Sequence, residues 1–169
     1  MRPLRPGLAL AAIIIVLDQL SKWWVVEKLM RPEGVVDTPF FSHVRIEVLP
    51  VFDLVMAWNR GVSFGVLNND GRWNVLILSV LSVAISIGLV LWMRKSQSLL
   101  VTLALGGIIG GALGNVIDRL RWGAVADFLD VHIAGHHWPA FNLADSAISV
   151  GAVLLILDAL FTRPTSSKT

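Results

Sequence analysis

Four stretches of this 169-residue chain, at about 7–26, 73–93, 99–117 and 141–161, are almost wholly apolar. Each approaches the ~20 residues that a helix needs to cross the hydrocarbon of a bilayer. With no water to satisfy the backbone inside lipid, such segments are predicted to be helices. The second stretch carries no charge at all. The first and fourth contain Asp18, Lys22, Asp145 and Asp158, and these need a reason to be there.

The rest of the composition agrees. Hydrophobic residues make up 55% of the chain, charged residues 15%, and the mean hydropathy is +0.71. A soluble domain runs near ~45–50% apolar and ~25% charged. A disordered chain, a disulfide scaffold and a nucleic-acid-binding domain are therefore disfavoured. The chain has no Cys, which removes disulfides, thiolate metal sites and Cys nucleophiles, and leaves Asp, Glu, His, Ser and Lys for chemistry.

Arg2 and Arg5 before the run Leu8 to Leu17 resemble the start of a signal peptide. No small-x-small cleavage site follows, and the apolar pattern continues to Trp24, so an uncleaved anchor is expected. Arg2, Arg5, Arg94, Lys95, Arg163 and Lys168 flank the spans on one side with no acidic residue among them. The positive-inside rule makes that side cytoplasmic, with both termini. The segments of about 27–72 and 118–140 then face outward. Trp23, Trp24, Trp73 and Trp92 at span ends, with Trp122 and Trp138 beside the second outer segment, read as interfacial anchors.

In the first outer segment, Val44, Ile46 and Val48 alternate with Arg45, Glu47 and Leu49, and a second run, Leu54 to Trp58, leads into Asn59-Arg60-Gly61 and Val62 to Gly65. This pattern predicts a small antiparallel sheet on the outer membrane face.

Ionisable groups at membrane depth are functional candidates because insertion there is costly. Asp18, Asn115, Asp118, Asp127 and Asp145 all fall toward the outer rim. Gly106/Gly110, Gly107/Gly111 and Gly110/Gly114 are small-x-x-x-small pairs that allow close helix packing. Asn115, Asp118 and Arg119 share one face at the end of that helix, either as a capping and ion-pair cluster or as a polar wall. Asn142 is placed to cap the fourth helix with Asp145 in its first turn, and Asp18 and Lys22, four apart, can neutralise each other.

Asp127 and Asp145 are more informative together. Two carboxylates in a partly dry site share a proton, so one can serve as base and the other as acid near neutral pH. His132, His136 and His137 suggest a metal site as a rival, but no acidic partner stands at a convincing ligand spacing, and no metal or cofactor is expected.

Asp18-Gln19-Leu20-Ser21-Lys22, Asn59-Arg60-Gly61-Val62-Ser63-Phe64-Gly65, Gly110-Gly111-Ala112-Leu113-Gly114-Asn115 with Asp118-Arg119, Val125-Ala126-Asp127-Phe128 and Phe141-Asn142-Leu143-Ala144-Asp145 resemble, in order, the motifs of bacterial lipoprotein signal peptidase, signal peptidase II. The ordered set covers about 17–148. Ala126 stands where many members have Val, and Ser63 where Ala is common.

The resemblance implies an all-α membrane protein of four transmembrane helices with a small extracytoplasmic β-sheet cradle, here about 36–66, in a single domain over 1–169. It implies an inner-membrane aspartyl endopeptidase that cuts diacylglyceryl-modified prolipoproteins before the lipid-bearing cysteine, at the outer face and without a cofactor. The catalytic pair falls on Asp127 and Asp145. The substrate-binding or supporting residues fall on Asp18, Lys22, Asn59, Gly61, Asn115, Arg119 and Asn142. The partners implied are prolipoprotein and membrane lipid, with no nucleic acid and with a monomer sufficient. Asp130 is a rival second carboxylate, but it lies three positions from Asp127, whereas Asp145 comes from another helix. Two further classes remain: a small transporter, disfavoured by rim placement and the lack of repeats, and a structural membrane subunit whose carboxylates only cap helices.

Overall fold

A computed structural model describes residues 4–31, 33–34, 44–61 and 72–161. Four helices are long and apolar enough to cross a membrane: α1 (Leu4–Trp24, continued by a π-helical turn, Val25–Leu29), α2 (Arg72–Lys95), α3 (Leu99–Trp122) and α4 (Leu143–Phe161). Each overlaps an expected span, with ends shifted by up to several residues. Phe141, expected inside the last span, instead pairs its backbone with Leu129 just before α4 begins.

Helix α3 is the most buried of the four and packs against the other three. Its glycines make that possible by removing side chains from two adjacent faces. A Cβ on Gly106 or Gly110 would meet α1 backbone at Gly7 or Ala11, and a Cβ on Gly111 would lie 2.3 Å from the carbonyl oxygen of Ala144 on α4. Small residues thus let two helices approach α3 at the same level. Ser98 caps the start of α3, its side chain accepting a hydrogen bond from Val101 N. Ala11, Met93, Val101, Leu105 and Ile109 fill the half of the bundle near the 96–98 turn.

Since Gly111 faces backbone that cannot rotate away, Gly111→Ala is expected to push α4 outward beside Asp145. Overpacking of this kind costs about 1–3 kcal/mol. Thermal unfolding of the purified protein should show a lowered Tm, and the turnover of any reaction that uses Asp145 should fall at least tenfold.

At the other end of the bundle the chain forms a four-stranded antiparallel sheet in the order β1 (Arg45–Leu49), β2 (Phe52–Asn59), β3 (Val125–Ile133) and β4 (His136–His137). The expected hairpin at β1 and β2 is present. Residues 36–43 and 62–66 of the predicted region, including Val62 to Gly65, lie outside the described residues. Asp127, expected in a loop, lies on β3. Met56, Ala126 and Phe128 of the sheet pack on Val25 and Val26 of the π-helical turn and on Met30 just after it.

Farther along the sheet Asp53 and Asp130 sit opposite each other across β2 and β3. Like charges at such positions repel, and Arg45 answers both, each at 3.2 Å. His137 Nδ1 lies 2.8 Å from Asp130, and His132 Nε2 lies 3.3 Å from Asp53.

Candidate active site

Asp145 lies in the first turn of α4. Asn142 caps that helix: its Oδ1 accepts from Asp145 N at 2.9 Å, and Asp145 Oδ2 accepts from Asn142 N at 3.3 Å. The arrangement satisfies two backbone donors that a helix start leaves open. It also fixes the side chain of Asp145, whose Oδ1 receives a 2.8 Å hydrogen bond from Asn115 Nδ2 on α3.

Asp127 comes from the opposite side. Its neighbours Ala126 and Phe128 belong to the core under the sheet, and strand side chains alternate, so Asp127 faces away from that core. Asn59, at the end of β2, donates to Asp127 Oδ2 at 3.1 Å, and Asn142 Nδ2 donates to Oδ1 at 2.7 Å. A single fully buried amide, Asn142, therefore holds Asp127 with its nitrogen and the turn carrying Asp145 with its oxygen.

Both carboxylates line a cavity of about 670 Å³ walled by Trp138, Pro139, Phe141, Ile148 and Val150. Asn59 and Asp145 also border a second space of about 230 Å³ between α2 and α3, with Gly61, Leu78, Ser82, Asn115 and Arg119. Burial raises the Asp127 carboxyl to about 8, with the charge of Asp145 as the next cause, while Asn59, Lys22 and Asn142 pull the other way. A carboxyl so placed keeps its proton at neutral pH.

The supporting residues divide into two groups. Asn59, Gly61, Asn115 and Arg119 border the cavities, and Asn142 touches Asp127 directly. Arg119 donates to the carbonyl oxygens of Asn115 and Gly61 at 3.4 Å, tying the end of β2 to α3. Asp18 and Lys22 are wholly buried and line neither cavity. They pair at 2.8 Å, and Lys22 also reaches Asp118 at 2.7 Å. Asp118, which the sequence leaves as either a capping cluster or a polar wall, takes its partners from α1 and β3. Asp130 borders neither cavity: it is held by Arg45 and His137 farther along β3. Trp138 walls the larger cavity although its sequence position suggested an interfacial anchor, and Trp122 packs edge-on against Trp58 with ring centroids 5.5 Å apart.

The family model for signal peptidase (SPase) II, Peptidase A8, matches residues 10–161. The chain belongs to the signal peptidase II family. It is 45% identical over 150 residues to a lipoprotein signal peptidase of Polynucleobacter necessarius subsp. necessarius, covering 88% of this chain and 85% of that one. It is 42% identical over 170 residues to one of Rhodopseudomonas palustris, covering 97% of each. Among solved structures, a bacterial membrane enzyme determined by the in meso method at 2.3 Å resolution superposes with a TM-score of 0.77 at 28% identity, covering 96% of this chain and 91% of that one.

Membership of the signal peptidase II family makes this chain an aspartic-type peptidase and, with its four apolar helices, a multi-pass protein of the bacterial inner membrane. The transporter and structural-subunit alternatives give way to it. In signal peptidase II terms, the resemblance read from the five motifs and the fold expected from it both hold.

Proposed function

We propose that this peptidase removes signal peptides from diacylglyceryl-modified prolipoproteins, with Asp127 and Asp145 as its catalytic pair. The observation that carries the reading is the Asn142 bridge: one side chain binds both halves of a two-carboxylate site that opens on a largely apolar cavity. The names of the relatives supply the substrate class.

The chemistry follows from the environments. The pair shares one proton, and burial favours holding it on Asp127. A water between them loses a proton to Asp145 as its oxygen attacks the scissile carbonyl. Asp127 first hydrogen-bonds the carbonyl oxygen and then protonates the nitrogen of the lipid-bearing cysteine as the C–N bond breaks. The products are a signal peptide with a free carboxylate and a lipoprotein with a free amine. No covalent intermediate forms. Arg119 Nε is buried beside the smaller cavity without an acceptor among the described residues, which suits it to donate to a substrate carbonyl.

The apolar wall of Trp138, Phe141, Ile148 and Val150 suits acyl chains entering sideways from lipid. The sheet and both carboxylates lie at the end of the bundle away from Arg94 and Lys95, which supports cytoplasmic termini and an extracytoplasmic site. All groups invoked come from one chain, in keeping with a functional monomer.

The test is a signal peptide carrying diacylglyceryl-cysteine and a fluorophore–quencher pair, presented in bicelles. It is expected to be cut immediately before the modified cysteine, as read by product mass, while the unmodified peptide is not. Equal cutting of both would remove the lipid from recognition.

The pH dependence follows with its sign. Catalysis needs one proton on the pair, so turnover is expected to fall about tenfold per pH unit above about 8, where Asp127 ionises. A flat rate from pH 7 to 10 would contradict the shared proton.

A further inference from the structure

Beside the carboxylate pair, and bordering neither cavity, lies an ion cluster that the proposed chemistry does not use. Lys22 Nζ donates to Asp18 Oδ2 at 2.8 Å, to Asp118 Oδ2 at 2.7 Å and to Asn115 Oδ1 at 3.0 Å, which occupies all three of its N–H groups. The side chains of the three ions are fully buried. Two carboxylates against one ammonium leave an excess negative charge, and such a group persists in a dry interior only if further donors satisfy it.

Those donors identify what the cluster holds. Gln19 Nε2 bridges both carboxylates, at 2.8 Å from Asp118 Oδ1 and 3.2 Å from Asp18 Oδ2. The other two are backbone N–H groups: Ala126 N donates to Asp118 Oδ2 at 3.2 Å, and Ala144 N donates to Asp18 Oδ1 at 3.0 Å. Ala126 immediately precedes Asp127, and Ala144 immediately precedes Asp145.

We propose that Asp18, Lys22 and Asp118 form a positioning device that sets the two catalytic carboxylates against each other, with Asp118 acting on Asp127 through Ala126 N and Asp18 acting on Asp145 through Ala144 N. The proposal rests on reading Asp127 and Asp145 as the catalytic pair. Both tethers end on carboxylates that share one ammonium, so β3 and α4 take their relative position from Lys22. The lysine also sets the direction of an amide. It can only donate, so Asn115 must present its oxygen to Lys22 and its nitrogen to Asp145 Oδ1. Flipping that amide would set nitrogen against ammonium and oxygen against carboxylate.

The test compares full-length wild type, Asp118→Ala, Asp118→Asn and Gln19→Met in bicelles with the lipidated peptide. Misplacing a reacting group by about 1 Å costs on the order of 100-fold in rate. Asp118→Ala is expected to lower kcat about 10–100-fold with KM within twofold, and to move the alkaline limb of the pH profile, because the surroundings of Asp127 change while the cavity does not. Asp118→Asn retains an acceptor for Ala126 N and is expected to recover at least fivefold over the alanine variant. A merely structural role would lower Tm and yield but leave the alkaline limb in place.

Wild-type kcat and an unmoved limb in Asp118→Ala would overturn the proposal. Should that variant not accumulate in the membrane, Gln19→Met decides: a threefold or greater loss of kcat at constant KM supports the device, and wild-type kcat overturns it. Failure of the wild type itself to cut the lipidated peptide would instead overturn the function on which the proposal rests.

Discussion

Asp127→Asn and Asp145→Asn are each expected to reduce cleavage of the lipidated peptide by about 10²–10⁴-fold, the scale on which general acid–base catalysis operates. Asparagine keeps the shape of the side chain but can neither take a proton from water nor deliver one to an amine. Both variants should still fold. In Asp127→Asn the new amide meets donors at both oxygen positions, from Asn59 and Asn142, and one of them must turn or lose its partner, at a cost of about 1 kcal/mol.

Thermal unfolding across pH separates the two roles of Asp127. A buried carboxyl with a raised pKa binds its proton more tightly in the folded protein than in the unfolded chain. Its contribution is complete below the unfolded value near pH 4 and is lost as pH rises through about 8. The Tm of Asp127→Asn is therefore expected to gain on that of the wild type between pH 6 and pH 9. A constant difference in Tm over that range would show that Asp127 does not titrate between pH 6 and pH 9. Near-normal turnover in either asparagine variant would remove that residue from the pair.

The second large effect belongs to Asn142. Its nitrogen contacts Asp127 at 2.7 Å, and its oxygen caps the helix that starts with Asp145, at 2.9 Å. Asn142→Ala releases both, and is expected to lower kcat about 100-fold and stability by about 1–2 kcal/mol through loss of the cap. Asn142→Ser separates the two functions. Serine caps a helix well, so Tm should return toward the wild-type value, but its short hydroxyl cannot bridge to Asp127 and kcat should stay low. Recovery of both together would assign Asn142 to helix capping alone.

The spans were legible because lipid demands a composition that soluble domains lack, and the glycine pairs were legible because close approach leaves no alternative residue. Asn142 and Asp145 could be read as a cap from spacing alone. Strand β3 was not legible. Val125 to Phe128 are all buried, so the apolar–polar alternation that marks a half-buried strand is missing. Phe141 looked like part of a span because it is apolar, yet its backbone completes a hydrogen-bonded pair with Leu129. The tethers from Asp18 to Ala144 and from Asp118 to Ala126 end on backbone N–H groups of alanines, whose side chains carry no polar group. Only the folded backbone shows them, which is why the sequence leaves Asp118 between a capping cluster and a polar wall.

The backbone pairing of Leu129 with Phe141 has a consequence for how such a protein is made. Ribosomes deliver the chain from its amino end, and the groups that complete the site, Asn142 and Asp145, arrive with the last span. Until that span enters the bilayer, Asp127 has neither its bridging amide nor its partner, and the main cavity lacks its far wall. With Asp127 and Asp145 as the proposed pair, a chain that has not yet inserted its last span is an inactive precursor, and proteolytic competence reports that insertion has finished.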